Sequence, residues 1–241
     1  MKNNLLELQN LSIGFNKKSL FENINAQVSK GMIIALMGAN GAGKSCLLKT
    51  LAHLIAPIGG DIKIHDKSIN VFSSQELARF ISIVLTEKIQ VDFLKVVELI
   101  SLGRSPYTNW LGDLNNSDKK IVSQVMDQVG VFDLAEHFYS DLSDGQKQKV
   151  LIARALAQQP EILILDEPTT YLDIPSKVEL LKLLQKISKE SNMAIIMSSH
   201  DLDLIESKVD EIWLMGKDGS FNIGSPENCR STGLFDKHFY F

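Results

Sequence analysis

Short apolar runs separated by polar turns fill the first third of the chain. From about Leu5 to Leu85 they read as short strands, with turns at Asn16-Lys17-Lys18, Ser29-Lys30-Gly31 and Gly59-Gly60-Asp61. One helical pattern interrupts them after Gly43, where Leu47, Leu48, Leu51 and Leu54 fall on one face. Between about Val91 and Leu142 the spacing becomes helical. Val97, Ile100 and Leu102 mark one helix; Ile121, Val125, Met126 and Val129 mark another, with Ser117 as its predicted cap. From Ser143 onward, helix and strand alternate: a helix through Leu156, a strand at Ile162–Leu165, a helix at Lys177–Lys189 and a strand at Met193–Ser198. Such alternation predicts a parallel sheet with crossover helices, a fold that binds ligands at the carboxyl ends of its strands. The most apolar runs, Ile33–Met37, Ile162–Leu165 and Ala194–Met197, are its expected buried strands.

Composition narrows the class. A chain of 241 residues suits one large domain or a domain with a subdomain, and 44% hydrophobic with 22% charged residues can bury a real core. The net charge of −4 argues against nucleic acid as a main partner, which would call for a basic face. No apolar run approaches the roughly 18–20 residues of a membrane helix. The opening MKNNLLELQN lacks the layout of a secretion signal, and Cys46 and Cys229 have no metal-binding spacing, so a reducing cytoplasm is the expected setting.

The first chemistry-bearing motif follows the strand MIIALM. Gly38-Ala39-Asn40-Gly41-Ala42-Gly43-Lys44-Ser45 has the form GxxxxGK[ST] between a strand and a helix, and Cys46 continues it into that helix. The glycines let backbone N–H groups turn toward phosphate oxygens, and the helix directs its positive end at the same anion. Lys44 is then placed to reach the β- and γ-phosphates of a nucleotide, and the Ser45 hydroxyl to ligate Mg²⁺. The plainer alternative is a glycine-rich turn before a helix; a chance match to the motif is expected in on the order of one chain in a hundred of this length, and the flanking strand and helix lower that further.

Ile162–Leu165 ends in Asp166-Glu167-Pro168. Beside a phosphate loop, Asp166 suits the Mg²⁺ and its water shell, and Glu167 suits polarisation of the attacking water. The next apolar strand ends in Ser198-Ser199-His200-Asp201. From the residues alone, His200 either reaches the γ-phosphate and orients water or is a solvated strand-end histidine, with Asp201 capping the next helix.

Upstream of the Asp166 strand, Leu142-Ser143-Asp144-Gly145-Gln146 precedes an apolar helix. Ser143 and Gln146 have capping-box spacing, and a helix start with a serine and a glycine is also an anion site. GANGAGKS, LSDGQ, ILILDEP and SSH, in this order and across nearly the whole chain, resemble the ABC-transporter ATPase family. The resemblance implies an α/β P-loop NTPase with a mostly parallel core sheet, an N-terminal antiparallel β subdomain and an inserted α-helical subdomain. It implies one domain over 1–241, with core and β subdomain at about 1–87 and 158–241 and the helical subdomain at about 88–157. It also implies that Phe15 stacks on adenine, that Gly38–Ser45 hold the phosphates of ATP, and that His200 is the switch histidine. Ser143, Gly145 and Gln146 match the signature that contacts the γ-phosphate of the opposite subunit, and Asp173 falls at the D-loop. The active unit is then a head-to-tail dimer of two copies of this chain.

Two positions depart from the family pattern. Asp144 stands where the family usually has glycine. A carboxylate there repels a γ-phosphate by about 1 kcal/mol at about 4 Å in water, so its side chain is expected to point away, into the capping network. Thr86 stands at the Q-loop glutamine position, as a shorter-reaching candidate Mg²⁺ ligand, with Glu87 or Gln90 as substitutes. The stretch Gly103-Arg104-Ser-Pro-Tyr107, followed by Trp110-Leu-Gly, resembles the importer subfamily for ferric siderophores, haem and cobalamin. That implies two transmembrane permease subunits, docked in a groove lined by Val91–Arg104, and indirectly a substrate-binding protein. The chain then sits peripherally on the cytoplasmic face of the membrane. Rival readings are an ABC exporter or cofactor-assembly ATPase, a catalytically weak regulatory module, and a nucleotide kinase; the last has no use for LSDGQ.

Overall fold

A computed structural model of the chain describes residues 4–15, 18–87, 91–109 and 112–235. The expected turn at Asn16-Lys17, Gln90 and Trp110 lie outside them. Two long strands, β1 (Asn4–Phe15) and β2 (Lys18–Ser29), open the chain and pair antiparallel from Asn4 opposite Ser29 to Phe15 opposite Lys18. β1 also pairs with β4 (Gly59–Ile64), and β4 with β5 (Lys67–Ser68), giving a four-stranded sheet ordered β2-β1-β4-β5. Gly59-Gly60-Asp61, expected as a turn, therefore begins a strand. Gly60 has φ of 77° and passes so close to Asn10 that a Cβ would sit 2.3 Å from the Asn10 carbonyl oxygen. Glycine is needed there for close approach to a bulged neighbour strand.

The second sheet contains β3 (Ile33–Gly38), β6 (Ile81–Val84), β7 (Ile162–Leu165), β8 (Ala194–Ser198), β9 (Glu211–Met215) and β10 (Phe221–Gly224). Its order is β10-β9-β3-β8-β7-β6, parallel throughout except for the β9–β10 pair. β3 shows why its sequence is apolar without alternation: Ile33, Ala35 and Met37 face one core, while Ile34 and Leu36 face another. The second of these cores is shared with the antiparallel sheet and with α1 (Lys44–Leu51). Leu47, Leu48 and Leu51 of α1 are fully buried. Burial of about 1.5–3 kcal/mol each holds an eight-residue helix that would be marginal alone. Leu54, read as part of the same face, lies beyond the helix and is 58% exposed.

The first core extends into α3 (Val96–Ser101), α4 (Asn116–Val129), α5 (Asp144–Ala157) and α6 (Ile174–Ser191). The N-cap of α4 is Asn115, reciprocally bonded to Asp118, and Ser117 lies inside the first turn. A helix not expected from the pattern, α2 (Ser74–Phe80), precedes β6; it buries only Leu77 and starts with a Ser73–Glu76 capping box.

Between α3 and α4, Leu102–Tyr107 forms a 3-10 turn pressed against α5. A Cβ on Gly103 would lie 2.1 Å from the Arg154 carbonyl oxygen. Arg104, expected on the docking groove, is instead an interior staple, 4% exposed. Its Nε donates to Asp118 Oδ1 at 2.9 Å, and Nη1 donates to the Ala157 carbonyl at 2.7 Å and to Gln159 Oε1 at 3.1 Å. Tyr107 lies beneath its guanidinium, 4.1 Å from the ring centroid, and donates to the Gln158 carbonyl. Two short helices, α7 (Leu202–Ile205) and α8 (Pro226–Ser231), complete the described chain.

Candidate functional site

β3 delivers Gly38 to a turn that only glycine tolerates. Its φ is 152°, and a Cβ would fall 2.4 Å from the Met215 carbonyl oxygen. Gly43, at φ 98°, is the N-cap of α1; no side chain caps this helix and no acidic residue lies in its first turn. The first-turn N–H groups of Lys44, Ser45 and Cys46 therefore point out of the helix with its positive end behind them. Along the loop, Ala42 donates its N–H to the Ala39 carbonyl, while Asn40, Gly41 and Ser45 are exposed. The Lys44 ammonium donates to the carbonyls of Gly38 at 2.9 Å and Ala39 at 3.2 Å. Burial lowers its pKa, and attraction to Glu167 and Asp166 partly opposes that. Cys46 turns its thiol away, toward the Gly14 carbonyl at 3.8 Å; burial pushes that thiol up. Phe15, next along β1, is 53% exposed beside the loop.

The strand ends facing this loop carry a connected polar network. Asp166, 6% exposed, accepts from the Ser198 hydroxyl at 2.8 Å through Oδ1. Ser198 Oγ in turn accepts the Glu167 N–H at 2.7 Å. The Glu167 carboxylate pairs with His200 Nε2 at 2.8 Å and accepts from the Thr170 hydroxyl at 3.1 Å. Glu167 itself has φ of 48°, a left-handed conformation that costs a non-glycine residue about 1–2 kcal/mol. Asp201 does not cap α7 with its side chain; its carboxylate binds Lys177 at 2.7 Å. Ser198, not among the candidate site residues, ends the apolar run Ala194–Met197 and is fully buried, where a hydroxyl needs a partner.

Thr86 joins the same network by an unexpected route. Its hydroxyl donates to the Asp166 backbone carbonyl at 2.8 Å. Glu87 pairs with Lys49 at 3.4 Å. Mg²⁺ takes one or two protein ligands and draws the rest from phosphates and water. The residues present fit that ion: a buried Asp166 with Oδ2 unbonded among the described residues, an exposed Ser45 hydroxyl, and no cluster of three or more His, Cys, Asp or Glu side chains among the described residues that would hold a metal by protein alone.

Ser143, Gly145 and Gln146 lie elsewhere. Ser143 and Gln146 close the capping box of α5, at 3.3 and 3.0 Å, and line a small pocket with Leu172 and Ser176. Asp173 caps α6: its carboxylate accepts the Ser176 N–H at 3.0 Å, and bonding to Ser176 lowers its pKa. Asp144, in the first turn of α5, makes neither of the two capping-box hydrogen bonds, which join Ser143 and Gln146. It lines a different cleft with Thr86, Tyr139 and Lys147, so the first turn of α5 presents the serine and glycine on one side and the carboxylate on another.

Residues 21–170 match the family model described as ABC transporter. The chain belongs to the ABC transporter family. It is 39% identical over 233 residues, 97% of this chain and 80% of the other, to an uncharacterised ABC transporter ATP-binding protein of Methanocaldococcus jannaschii. It is 38% identical over 200 residues to the iron(3+)-hydroxamate import ATP-binding protein of Bacillus subtilis, covering 83% of this chain and 74% of that one. The achromobactin transport ATP-binding protein of Dickeya dadantii is 36% identical over 224 residues, 93% and 83% of the two chains. Among solved structures, a metal-chelate type ABC transporter in an inward-facing conformation superposes with a TM-score of 0.85 at 28% identity, over 98% of this chain and 89% of that one. This ABC chain is a nucleotide-binding, ATP-hydrolysing subunit with the expected P-loop fold. Among the described residues no helix is long and apolar enough to cross a membrane.

Proposed function

We propose that this chain powers an ABC importer of metal chelates, a ferric siderophore, haem or cobalamin. The observation that carries the reading is the convergence of Lys44, Asp166 and Glu167, paired with His200, at one end of the parallel sheet. The names of the relatives, an iron(3+)-hydroxamate importer and an achromobactin transporter, support the cargo class.

The roles follow from the geometry. Phe15 offers its exposed ring to adenine. Gly38–Cys46 cradle the phosphates with N–H groups, and Lys44 exchanges its two loop carbonyls for phosphate oxygens. Ser45 and Asp166 hold Mg²⁺, which supplies charge neutralisation of the phosphates when bound. Glu167 accepts a proton from the attacking water, and His200 fixes its carboxylate. The start of α5, with Ser143, Gly145 and Gln146, faces the nucleotide of a second copy, and Asp173 lies at the same face. Each site is then built by two chains.

The permease contact is the cleft of about 420 Å³ between the core and the helical segment, lined by Leu77, Ile83 and Gly103 and flanked by Leu54 and Leu102, which are 58% and 55% exposed. Exposed leucines beside a cleft suit an apolar partner helix. The assembly places this chain at the cytoplasmic face of the membrane as a peripheral subunit. The test is to isolate the permease that co-purifies with the chain and measure ATP-dependent uptake of ferric siderophores, haem and cobalamin into vesicles. Uptake of one of them supports the assignment. ATP-driven movement of an unrelated cargo, or no permease at all, contradicts it.

A further inference from the structure

The family's glutamine position is occupied by Thr86, and its hydroxyl does something specific. It donates to the Asp166 carbonyl at 2.8 Å. The N–H of the same peptide unit, on Glu167, donates to Ser198 Oγ at 2.7 Å. One peptide plane, the one that presents Glu167, is thus gripped at both ends by hydroxyl groups, Ser198 from the end of β8 and Thr86 from the bend just past β6. Pairing of Val84 with Leu165 sets the register that places Thr86 beside this carbonyl. The preceding peptide is tied as well, by the Asp166 N–H to the Val84 carbonyl at 2.8 Å. Glu167 then takes a left-handed φ of 48°, a conformation that persists only where its surroundings hold it.

We infer that Thr86 is a positioning residue for Glu167, acting through the Asp166–Glu167 peptide and not as a metal ligand. This rests on Glu167 being the water-activating carboxylate. A glutamine side chain reaches outward to the ion; the threonine hydroxyl reaches sideways to the backbone. Releasing the carbonyl lets the peptide rotate, and the carboxylate turns with it.

The test compares full-length Thr86→Val, Thr86→Ser and Glu167→Gln. Thr86→Val keeps the shape and removes the donor; Thr86→Ser keeps the donor. Thr86→Val is expected to lower kcat on the order of ten- to a hundred-fold, the range for a small misplacement of a reacting group. KM for ATP, ATP affinity measured without turnover and the Mg²⁺ concentration at half-maximal rate stay unchanged. Hydrogen exchange at the Glu167 amide accelerates, and Thr86→Ser restores both rate and protection. If Thr86→Val does not fold, Thr86→Ala carries the same comparison. Wild-type kcat in Thr86→Val, with Glu167→Gln inactive, overturns the positioning role. A loss in Thr86→Val that excess Mg²⁺ repairs makes Thr86 a ligand and also overturns it. An active Glu167→Gln overturns the underlying reading instead.

Discussion

Replacing Arg104 with leucine tests how the helical segment is fastened to the core. The guanidinium binds Asp118 on α4, the carbonyl at the end of α5 and the ring of Tyr107. The side chains of Arg104 and Asp118 are 4% and 3% exposed, so water does not replace the lost partner. Removing one member of such a pair leaves a buried charge and costs about 3–5 kcal/mol. In a chain of this size that lowers Tm on the order of 10 °C. The assay is urea unfolding of Arg104→Leu, Asp118→Leu and the double variant, followed by intrinsic fluorescence. The double variant should recover much of the loss, because it removes the orphaned charge as well, though it still lacks the Asn115–Asp118 cap. A coupling energy near zero, or an Arg104→Leu variant with wild-type stability, refutes the buried staple. Arg104→Leu that folds normally and loses only transport would place Arg104 on the permease contact instead.

Gly103→Ala forces a methyl within 2.1 Å of the Arg154 carbonyl and should cost about 1–3 kcal/mol in the same unfolding assay; an unchanged midpoint contradicts the close approach. Asp144→Gly should leave KM for ATP and turnover at wild-type values, because Asp144 lines the cleft with Tyr139 and Lys147 and not the pocket of Ser143 and Gly145; a marked fall in KM would show that it faces phosphate. Glu161 works against its own burial, but Lys30 at 2.7 Å and His65 at 2.8 Å outweigh that and hold its pKa below the ordinary 4.5. Its contribution is therefore present above about pH 4.5 and lost as pH falls through the lowered value, so Glu161→Gln should flatten the acid side of a stability–pH profile; an unaltered profile contradicts this.

What was legible in the chain followed from strong local rules. GANGAGKS between an apolar strand and a leucine-rich helix could serve few structures, and beside it the acidic end of ILILDEP reads as part of a site and not as a plain turn after a strand. What was missed depended on contacts between distant segments. α2 buries one leucine, so its periodicity is faint, although Ser73 and Glu76 announce its start. Gly59-Gly60 reads as a turn until Asn10 is placed against it across the sheet. Arg104 looks like a surface residue of a polar turn, and only the approach of α4 and α5 buries it. In the site, Ser198 and the Thr86 bond to Asp166 depend on three neighbouring strands in register, which spacing along one chain does not reveal. Asp144 lines the cleft of Thr86 and Tyr139 while Ser143 and Gly145 line another, a division that depends on which segments pack beside the first turn of α5.

The central claim is that two copies of this chain enclose ATP between the Lys44 loop of one and the Ser143 helix start of the other. The direct measurement is the mass and nucleotide content of Glu167→Gln protein in Mg²⁺-ATP, by light scattering with quantified bound ATP. The account predicts a two-chain assembly with one ATP per chain, which Ser143→Arg disperses even though Lys44 is intact. A single chain that retains ATP, with Ser143→Arg making no difference, contradicts it.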